Sequence, residues 1–265
     1  MKVAILIPAR FASSRFPGKP LVDLRGASGT AKPLIQRSFE AGQRVGCASS
    51  VHIVTDDERI ASVAGSFAAP VIMTSPECRN GTERCAEALA HLGDVDLVVN
   101  LQGDALLTPA YFIDALVSGM GADPGAHVAT PAIRLRPEEV RSLQSEEAAG
   151  RVGGTSVVTN GAGRALYFSK RLIPYVPKRA LEGEFSPVRL HVGVYAYRPS
   201  ALRAYAGTAP SELEELEGLE QLRFLAAGVP ISVVEVEAPS FSLRELNNPE
   251  DIGPIEQALA EAGLE

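Results

Sequence analysis

Residues 3–21 read VAILIPARFASSRFPGKPL, and this stretch decides the fold. It begins with a short apolar run typical of a buried strand and continues directly into a loop of small and basic residues. Small residues let backbone N–H groups approach phosphate oxygens, and Arg10, Arg15 and Lys19 add three positive charges to the same loop. Because open α/β sheets bind ligands at the carboxyl ends of their strands, the stretch predicts a polyphosphate site after the first strand.

The spacing of this loop differs from both common nucleotide fingerprints. It contains neither G-x-x-x-x-G-K-[ST] nor G-x-G-x-x-G, which disfavours a P-loop kinase and a dinucleotide oxidoreductase. The alternative is an ordinary solvated basic loop. A strand, three cations, two prolines and a glycine in one short span favour the phosphate site.

Composition limits the possible classes of protein. The chain has 265 residues, of which 46% are hydrophobic, and no linker divides it, so we expect one domain over residues 1–265. The net charge of -7 provides no general basic field, which argues against nucleic acid as a partner. Since no apolar run is long enough to span a membrane and no signal peptide precedes Pro8, we expect no membrane association and a cytoplasmic location.

The three cysteines indicate neither a disulfide framework nor a structural zinc site. Cys47, Cys78 and Cys85 are odd in number and lack C-x-x-C spacing. We expect Cys85 to be a small buried residue.

Periodicity predicts a parallel α/β arrangement followed by a strand-rich region. Strands are predicted over 3–7, 51–54, 70–73 and 97–101, and helices over 32–46, 57–68, 82–92 and 109–120. Thr108 is predicted to cap the last of these helices, with Pro109 at its first position. Further strands are predicted over 128–133, 155–159 and 190–197, and the turn at 160–163 predicts a hairpin between 156–159 and 164–168.

Seven further segments follow the first loop in a recognisable order. They are TDD (55–57), NGTER (80–84), VVNLQGD (98–104), ALYFS (165–169), RLHVGVYAY (189–197), LEQLR (219–223) and NPEDI (248–252). Together with PARFASSRFPGKPL they resemble the 3-deoxy-manno-octulosonate (Kdo) cytidylyltransferase family, the CMP-Kdo synthetases, over most of the chain.

This resemblance implies a Rossmann-like nucleotidyltransferase fold. Its central sheet is mixed and mainly parallel, and a β-rich extension serves the acceptor and a dimer interface. Residues 1–125 are then the CTP-binding half, 126–245 the sugar-acid and dimerisation half, and 246–265 a C-terminal helix. The implied enzyme is a homodimer that transfers CMP from CTP to Kdo, or to a related sugar acid, for a surface polysaccharide such as lipopolysaccharide or capsule.

The resemblance also implies roles for individual residues. Arg10, Lys19 and Asp104 are the expected catalytic residues, and Arg15 is a weaker candidate for holding the triphosphate. The expected nucleotide-binding residues are Pro8, Ala9, Arg10, Arg15, Lys19, Thr55, Asn80, Gly81, Thr82, Arg84 and Gln102. Thr82 has a second interpretation as the N-cap of the following helix, and the two are weighted equally.

The expected acceptor-binding residues lie in the second half of the chain. They are Lys170, His191, Tyr195, Glu220 and Gln221. Because positions 191 and 195 are an even number apart on the predicted strand, their side chains should share one face. Nearby, the glutamates at 212, 214, 215 and 217 are interpreted as a solvated acidic face.

Mg²⁺ is the expected cofactor, because CTP chemistry requires a hard cation bound by carboxylate and phosphate oxygens. Asp104 and Asn247 are the expected ligands, although a structural role for Asp104 is the alternative. Asn247 stands where the family has an aspartate. Three arrangements stay open: Asn247 coordinates through its carbonyl oxygen, Glu245 substitutes for it, or the site depends on Asp104 and the substrates alone.

Other departures from the family concern the acceptor. Ala105 and Leu106 replace a Glu-Pro pair, Ser156 replaces a common lysine, and Lys170 replaces an arginine. Other acceptors therefore stay open, namely an amino-Kdo, a sialic-type acid or a phosphonate, as does a non-catalytic nucleotide-binding homologue.

Overall fold

The computed structural model describes residues 1–12 and 15–265. Ser13 and Ser14, which belong to the predicted phosphate loop, lie outside the described residues. The strands are β1 (Val3–Ala9), β2 (Asp23–Arg25), β3 (Ala31–Pro33), β4 (Ser50–Thr55), β5 (Val71–Met73), β6 (Leu97–Leu101), β7 (Val128–Arg134), β8 (Ser156–Thr159), β9 (Ala165–Ser169), β10 (Arg189–His191), β11 (Val194–Tyr197) and β12 (Ile231–Val236). The α-helices are α1 (Leu34–Gln43), α2 (Glu58–Ser66), α3 (Gly81–Ala88), α4 (Ala110–Ala122), α5 (Pro137–Ala148), α6 (Pro199–Ala206), α7 (Glu212–Glu217), α8 (Leu222–Ala226) and α9 (Ile252–Glu261).

Within the described residues, ten strands form one sheet that runs through both predicted halves. The strands β5, β4, β1 and β6 lie side by side and are parallel. Next to β6, β11 runs antiparallel and leads into an extension of β7, β10, β8 and β9, while β12 pairs parallel with β7. The prediction of a mixed α/β sheet with a β-rich extension is therefore confirmed.

The core lies on both faces of this sheet. Along β1, Val3, Ile5 and Ile7 pack on the side of α1, α2 and α4, whereas Leu6 packs on the side of α3, α6 and α8. A strand covered by helices on both faces needs apolar side chains at successive positions, which explains the unbroken run in the sequence. Cys85 is fully buried in the second of these clusters, as predicted.

The predicted strand over 190–197 is in fact two strands, β10 and β11. Both pair with β7, but the other edge of β10 pairs with β8 and the other edge of β11 pairs with β6. A strand has two edges, so an uninterrupted strand would have to share one edge between β8 and β6. The break at Val192 and Gly193 lets β10 pair with β8 and β11 pair with β6. The ring centroids of His191 and Tyr195 remain 5.4 Å apart across the break.

The hairpin prediction is confirmed, whereas all four predicted helix starts differ by one or two residues. β8 and β9 pair antiparallel. Helix α2 begins at Glu58 rather than 57, with Asp57 as its N-cap. Helix α1 begins at Leu34 rather than 32 because β3 extends to Pro33, and α4 begins at Ala110 with Pro109 as its N-cap. Thr82 is not the N-cap of α3: the Asn80 side chain accepts the Glu83 N–H, so this helix begins at Gly81.

The helices are short and mostly amphipathic. No helix among residues 1–12 and 15–265 is long and apolar enough to cross a membrane.

Candidate functional site

A cleft of about 270 Å³ opens at the carboxyl ends of β1 and β6. Ten of the residues predicted to act on the nucleotide or the metal line it: Pro8, Ala9, Arg10, Arg15, Lys19, Asn80, Gly81, Arg84, Gln102 and Asp104. Leu34, Cys78 and Gly103, which the sequence did not single out, also contribute to the lining. The polyphosphate site predicted from the first strand therefore coincides with a real cavity.

Two predicted nucleotide-binding residues lie outside this lining. Thr55 is fully buried, and its hydroxyl accepts the N–H of Asp57 at 3.2 Å. Thr82 is also fully buried, and its hydroxyl bonds the Tyr197 hydroxyl at 3.0 Å. Each threonine side chain is turned into the protein, so the structure does not bring either hydroxyl to the cleft.

Glycines allow the end of β1 to approach its neighbours closely. A Cβ atom on Gly103 would lie 2.6 Å from the carbonyl oxygen of Pro8, and one on Gly81 would lie 3.2 Å from the Pro8 ring. The first contact is too short for any side chain. Gly103 therefore lets the loop after β6 reach the loop after β1, which brings Asp104 to Lys19.

The charged residues of the cleft are paired across long stretches of sequence. Lys19 Nζ lies 2.5 Å from Asp104 Oδ2, and Arg15 Nη2 donates to Asn247 Oδ1 at 2.9 Å. Arg10 is exposed, and its Nη1 donates to the backbone carbonyl of Arg79 at 3.1 Å. Lys19 and Arg15 thus face the cleft with side-chain partners that a phosphate group can displace, whereas Arg10 is oriented by a backbone carbonyl.

Arg84 is held more rigidly than the other cations. It is 2% exposed and donates to Thr74 Oγ1 at 2.5 Å, and its Nη2 lies 3.1 Å from Asp56 Oδ1. Asp56 and Thr74 were missed by the sequence analysis. Asp56 directly follows β4 just as Asp104 follows the β6 segment, so its position at a strand end was a usable signal.

Cys78 lines the cleft but is not a nucleophile. Its thiol donates to Glu87 Oε2 at 3.1 Å, and burial together with this carboxylate raises the thiol pKa to about 12. A protonated thiol is a weak nucleophile at neutral pH.

Glu220 connects the nucleotide cleft with the predicted acceptor residues. Its Oε1 accepts from Gln102 Nε2 at 3.2 Å, and its Oε2 accepts the backbone N–H of Thr82 at 3.1 Å. Burial raises the pKa of Glu220. The adjacent Gln221 is 2% exposed, and its Nε2 has no hydrogen-bond partner among the described residues.

His191 lies in an apolar and aromatic environment. Its ring packs edge-on against Phe168 and beside Tyr195, and its Nε2 bonds Thr130 Oγ1 at 2.9 Å. Burial lowers the pKa of His191 to about 3, so the imidazole is neutral near pH 7. It can form hydrogen bonds with a ligand, but it cannot offer a positive charge to a carboxylate.

The structure does not bring Lys170 to the cleft. Its side chain is exposed, its backbone N–H donates to Glu217 Oε2 at 2.9 Å, and its Nζ lies close to Gly218. Lys170 follows the end of β9, where Glu217 also accepts from Ser169 Oγ at 2.7 Å. These contacts place Lys170 beside the C-terminal end of α7.

The acidic-face interpretation of residues 212–217 is wrong for two of its four glutamates. Glu212 and Glu215 are exposed, as expected. Glu214 is buried and paired with Arg223, and Glu217 accepts the bonds from β9. Their partners lie elsewhere in the chain, so sequence patterning alone could not separate the two pairs.

Oxygen donors suited to a hard cation lie on one side of the cleft. Glu245 is exposed to solvent, but crowding by protein atoms and the Asp104 carboxylate raise its pKa to about 7. Its carboxylate lies near Gly193, and Asn247 accepts from Arg15; neither Glu245 nor Asn247 belongs to the cleft lining itself. The described residues contain no group of three or more His, Cys, Asp or Glu side chains that could hold a metal by themselves. The side-chain oxygens of Asp104, Glu245 and Asn247 have the donor chemistry that suits Mg²⁺, which takes few protein ligands together with phosphate oxygens.

Comparisons with known proteins agree with this geometry. A family model described as Cytidylyltransferase matches residues 4–233. The 3-deoxy-manno-octulosonate cytidylyltransferase of Maricaulis maris is 39% identical over 264 residues, covering 99% of both chains. The mitochondrial 3-deoxy-manno-octulosonate cytidylyltransferase of Arabidopsis thaliana is 38% identical and covers 99% of this chain and 85% of its own.

A solved structure is also similar along its whole length. CMP:2-keto-3-deoxy-manno-octonic acid synthetase complexed with CTP superposes with a TM-score of 0.83 at 34% identity, covering 99% of this chain and 100% of the other.

Proposed function

This chain belongs to the 3-deoxy-manno-octulosonate cytidylyltransferase family, and we propose that it transfers CMP from CTP to Kdo, with release of pyrophosphate, in the cleft at the ends of β1 and β6. The observation that carries the proposal is the convergence of Arg10, Arg15, Lys19 and Arg84 on this cleft beside Asp104. Four cations around one carboxylate suit a triphosphate with a divalent metal ion. Glu220 joins the same cleft to the acceptor residues through Gln102.

The reaction requires positioning and charge neutralisation more than covalent chemistry. A hydroxyl oxygen of the acid attacks the α-phosphorus of CTP and loses its proton. The bond between the α-phosphorus and the bridging oxygen breaks, and pyrophosphate leaves. Arg10 and Lys19 bind the triphosphate and stabilise the charge of the transition state, and Arg15 supports them from the Asn247 side. Arg84, fixed by Asp56 and Thr74, provides a rigid positive charge next to Asn80 and Gly81.

Mg²⁺ is the proposed cofactor, with Asp104 and Asn247 as its ligands and Glu245 as a further oxygen donor. When bound, the ion neutralises phosphate charge and aligns the triphosphate. Lys19 and Arg15 occupy the Asp104 and Asn247 oxygens in this structure, and both cations gain phosphate partners when CTP binds.

The proposed acceptor site consists of His191, Tyr195, Glu220 and Gln221. Neutral His191 and the Gln221 Nε2 atom, which has no hydrogen-bond partner within residues 1–12 and 15–265, suit the hydroxyl groups of a sugar acid. Lys170 takes part only if its side chain leaves the contacts around Gly218. We regard it as outside the site.

The decisive experiment is a pyrophosphate-release assay with each of the four nucleoside triphosphates and a panel of acids. The panel contains Kdo, an amino-Kdo, a sialic acid and a phosphonate, each with and without Mg²⁺. We expect turnover with CTP, Mg²⁺ and Kdo. Turnover with another acid and not with Kdo would redirect the acceptor assignment, and CTP binding without turnover on any acid would indicate a non-catalytic homologue.

We further propose that the enzyme is a homodimer that works in the cytoplasm, where CTP is available. The strand β9 ends the sheet path and carries Leu166, which is 61% exposed. Tyr175 and Leu216 are also highly exposed. A second copy of the chain would cover these apolar side chains, because large exposed apolar groups near a free strand edge favour association. Sedimentation velocity should give twice the chain mass for the wild type and the monomer mass for Leu166→Glu, whereas a monomeric wild type would contradict the proposal.

A further inference from the structure

Glu83 fixes the segment that carries Asn80 and Gly81 through two contacts with Arg79. The backbone N–H of Arg79 donates to Glu83 Oε2 at 2.8 Å, and the Arg79 guanidinium lies 2.9 Å from Glu83 Oε1. The Arg79 carbonyl in turn accepts from Arg10 Nη1 at 3.1 Å. Glu83 therefore fixes Arg79, and the carbonyl oxygen of Arg79 orients the guanidinium of Arg10.

Glu83 is itself fixed by a buried arginine. Arg223 Nη1 lies 2.9 Å from Glu83 Oε1, and the Arg223 side chain is 1% exposed. Its Nε and Nη2 donate to the two oxygens of Glu214 at 2.7 and 2.6 Å. The guanidinium carbon also lies 4.0 Å from the centroid of the Tyr205 ring. Such a bidentate and stacked arginine has little freedom to move, which makes it a rigid anchor.

Arg223 also acts on Asn80 through Tyr205, because its guanidinium stacks on the Tyr205 ring and the Tyr205 hydroxyl contacts Asn80. The Tyr205 hydroxyl accepts from Asn80 Nδ2 at 2.9 Å and donates to the backbone carbonyl of Glu220 at 3.2 Å. Arg223 and Tyr205 thus hold residues 79 and 80 from α8 and α6, far along the chain from the cleft loops. None of Glu83, Arg223, Glu214 and Tyr205 belongs to the cleft lining, so no direct contact with CTP explains this arrangement.

We infer that Glu83 and Arg223 are positioning residues for CTP, which act through the Arg79 carbonyl on Arg10 and through residues 79–80 on the nucleotide cleft. The inference rests on the proposed function. The carboxylate of Glu83 holds the Arg79 backbone, and the Arg79 carbonyl holds the Arg10 guanidinium toward the phosphates. Arg223 keeps Glu83 in place.

Glu83→Gln tests this inference with the least disturbance. The amide keeps the shape of the side chain, and Arg223 retains both of its bonds to Glu214, so the buried arginine is not left unpaired. We expect CTP binding, measured by calorimetry, to weaken about tenfold, which is within the usual range for coupled sites. The Michaelis constant for the acid should change less than about twofold, because Glu83 does not touch the acceptor residues.

Glu235→Gln is a matched control. Glu235 also contacts two arginines, Arg134 and Arg189, each at 3.0 Å, but it lies on β12 and not at the cleft. The same chemical change there should leave CTP binding unaltered. Equal CTP binding by wild type and Glu83→Gln would overturn the inference, as would equal weakening in the Glu235→Gln control.

A double-mutant cycle separates positioning from general loosening of the fold. If Glu83 acts through Arg10, Glu83→Gln should have little further effect on CTP binding in an Arg10→Ala background. Full additivity of the two changes would overturn the proposed route. Should Glu83→Gln fail to fold, Arg223→Lys replaces it in the same cycle, because it keeps the charge and removes the bidentate geometry.

The assay also keeps this inference distinct from the proposed function. Absence of CTP binding by the wild-type chain would refute the proposed function itself. CTP binding by the wild type that is unchanged in Glu83→Gln would refute only the positioning role.

Discussion

The nucleotide cleft and the proposed acceptor site have opposite electrostatics, although Gln102 and Glu220 link them. In the cleft, Lys19 and Asp104 form an ion pair that stays partly open to water, with side chains 17% and 21% exposed. In the acceptor site, burial keeps His191 neutral and raises the pKa of Glu220. The difference follows from the ligands. A triphosphate brings charge that needs cations, whereas a sugar acid presents several hydroxyl groups that neutral, desolvated partners can read by hydrogen bonding.

This contrast has a consequence for specificity. A site that reads hydroxyl groups with buried polar atoms rejects ligands that lack them, because those atoms are then left unpaired. A site that binds its ligand mainly through charge discriminates less between ligands of different shape. We therefore expect the acid to be selected mainly around His191 and Gln221, and the triphosphate to be bound mainly by charge.

Asp104→Asn tests the charged region most severely. The change removes a carboxylate next to Lys19, and with it the anionic ligand that the proposed Mg²⁺ site needs. We expect kcat to fall by about 100-fold or more, as when a charge-stabilising group is deleted. The thermal unfolding midpoint should change little, because the Lys19–Asp104 pair is partly exposed and such pairs add little stability. Near-normal turnover would contradict the role of Asp104 and assign the metal to Glu245 instead.

Lys19→Ala should affect CTP and spare the acid. Loss of the ammonium group removes a charged phosphate contact and leaves Asp104 unpaired beside the triphosphate. We expect the Michaelis constant for CTP to rise about 30-fold, which corresponds to a hydrogen bond to a charged group. The Michaelis constant for the acid should stay within about twofold of the wild type, in line with independent sites. A rise shared equally by both substrates would contradict the separation of the two regions.

His191→Gln tests the neutral region through the pH dependence of stability. Folded His191 has a pKa of about 3, whereas an unfolded histidine binds a proton below about pH 6.5. The unfolded state therefore takes up more protons as the pH falls below 6.5, and the folded state loses stability by at most about 1.4 kcal/mol per pH unit from this group.

The glutamine variant lacks that contribution. Its free energy of unfolding should fall less steeply than that of the wild type between pH 6.5 and pH 4.5, as measured by urea denaturation at several pH values. Parallel curves for the two proteins would show that His191 is protonated in the folded state as easily as in the unfolded one.

Asn247→Asp should have the smallest effect. It tests whether residue 247 belongs to the charged nucleotide cleft. A carboxylate binds Mg²⁺ better than an amide, so the Mg²⁺ concentration for half-maximal rate should fall about threefold. Arg15, which donates to the Asn247 oxygen, limits the gain by pairing with the new charge. An increased Michaelis constant for the acid would instead mean that residue 247 faces the acceptor, and no change in either quantity would place it outside the site.

The two regions also differ in how far the sequence predicted them. The strand β1, its basic loop and the end of β6 follow from an apolar run, small residues and a strand-end aspartate, all of which are local signals. Parallel strands place their carboxyl ends at one edge of the sheet, which is why the basic loop after β1 and the end of β6 lie at the same cleft. The contact between Lys19 and Asp104 there was not itself predicted. The hairpin of β8 and β9 likewise follows from a short turn.

Contacts between residues that are distant in the chain could be seen only in the folded structure. Arg15 meets Asn247 across 232 residues, and Arg223 meets Glu83 across 140. Nothing in the local sequence of either partner specifies the other. The strand breaks before Val194 because β8 pairs with β10 and β6 pairs with β11. Hydrophobic periodicity carries no information about which strands pair. Lys170 is turned away by Glu217, a contact from a different element.

Motifs, propensity and hydrophobic spacing were enough to predict the family, the alternation of strands and helices up to residue 120, and the residue types at the strand ends. They did not predict the strands β2, β3 and β12 or the helices α5, α6 and α7. The tertiary structure alone decided which charges are paired, which threonine and lysine side chains face away from the cleft, and that His191 is neutral. Pairing and protonation depend on burial and on neighbours distant in the chain, and these exist only once the sheet and its helices have packed.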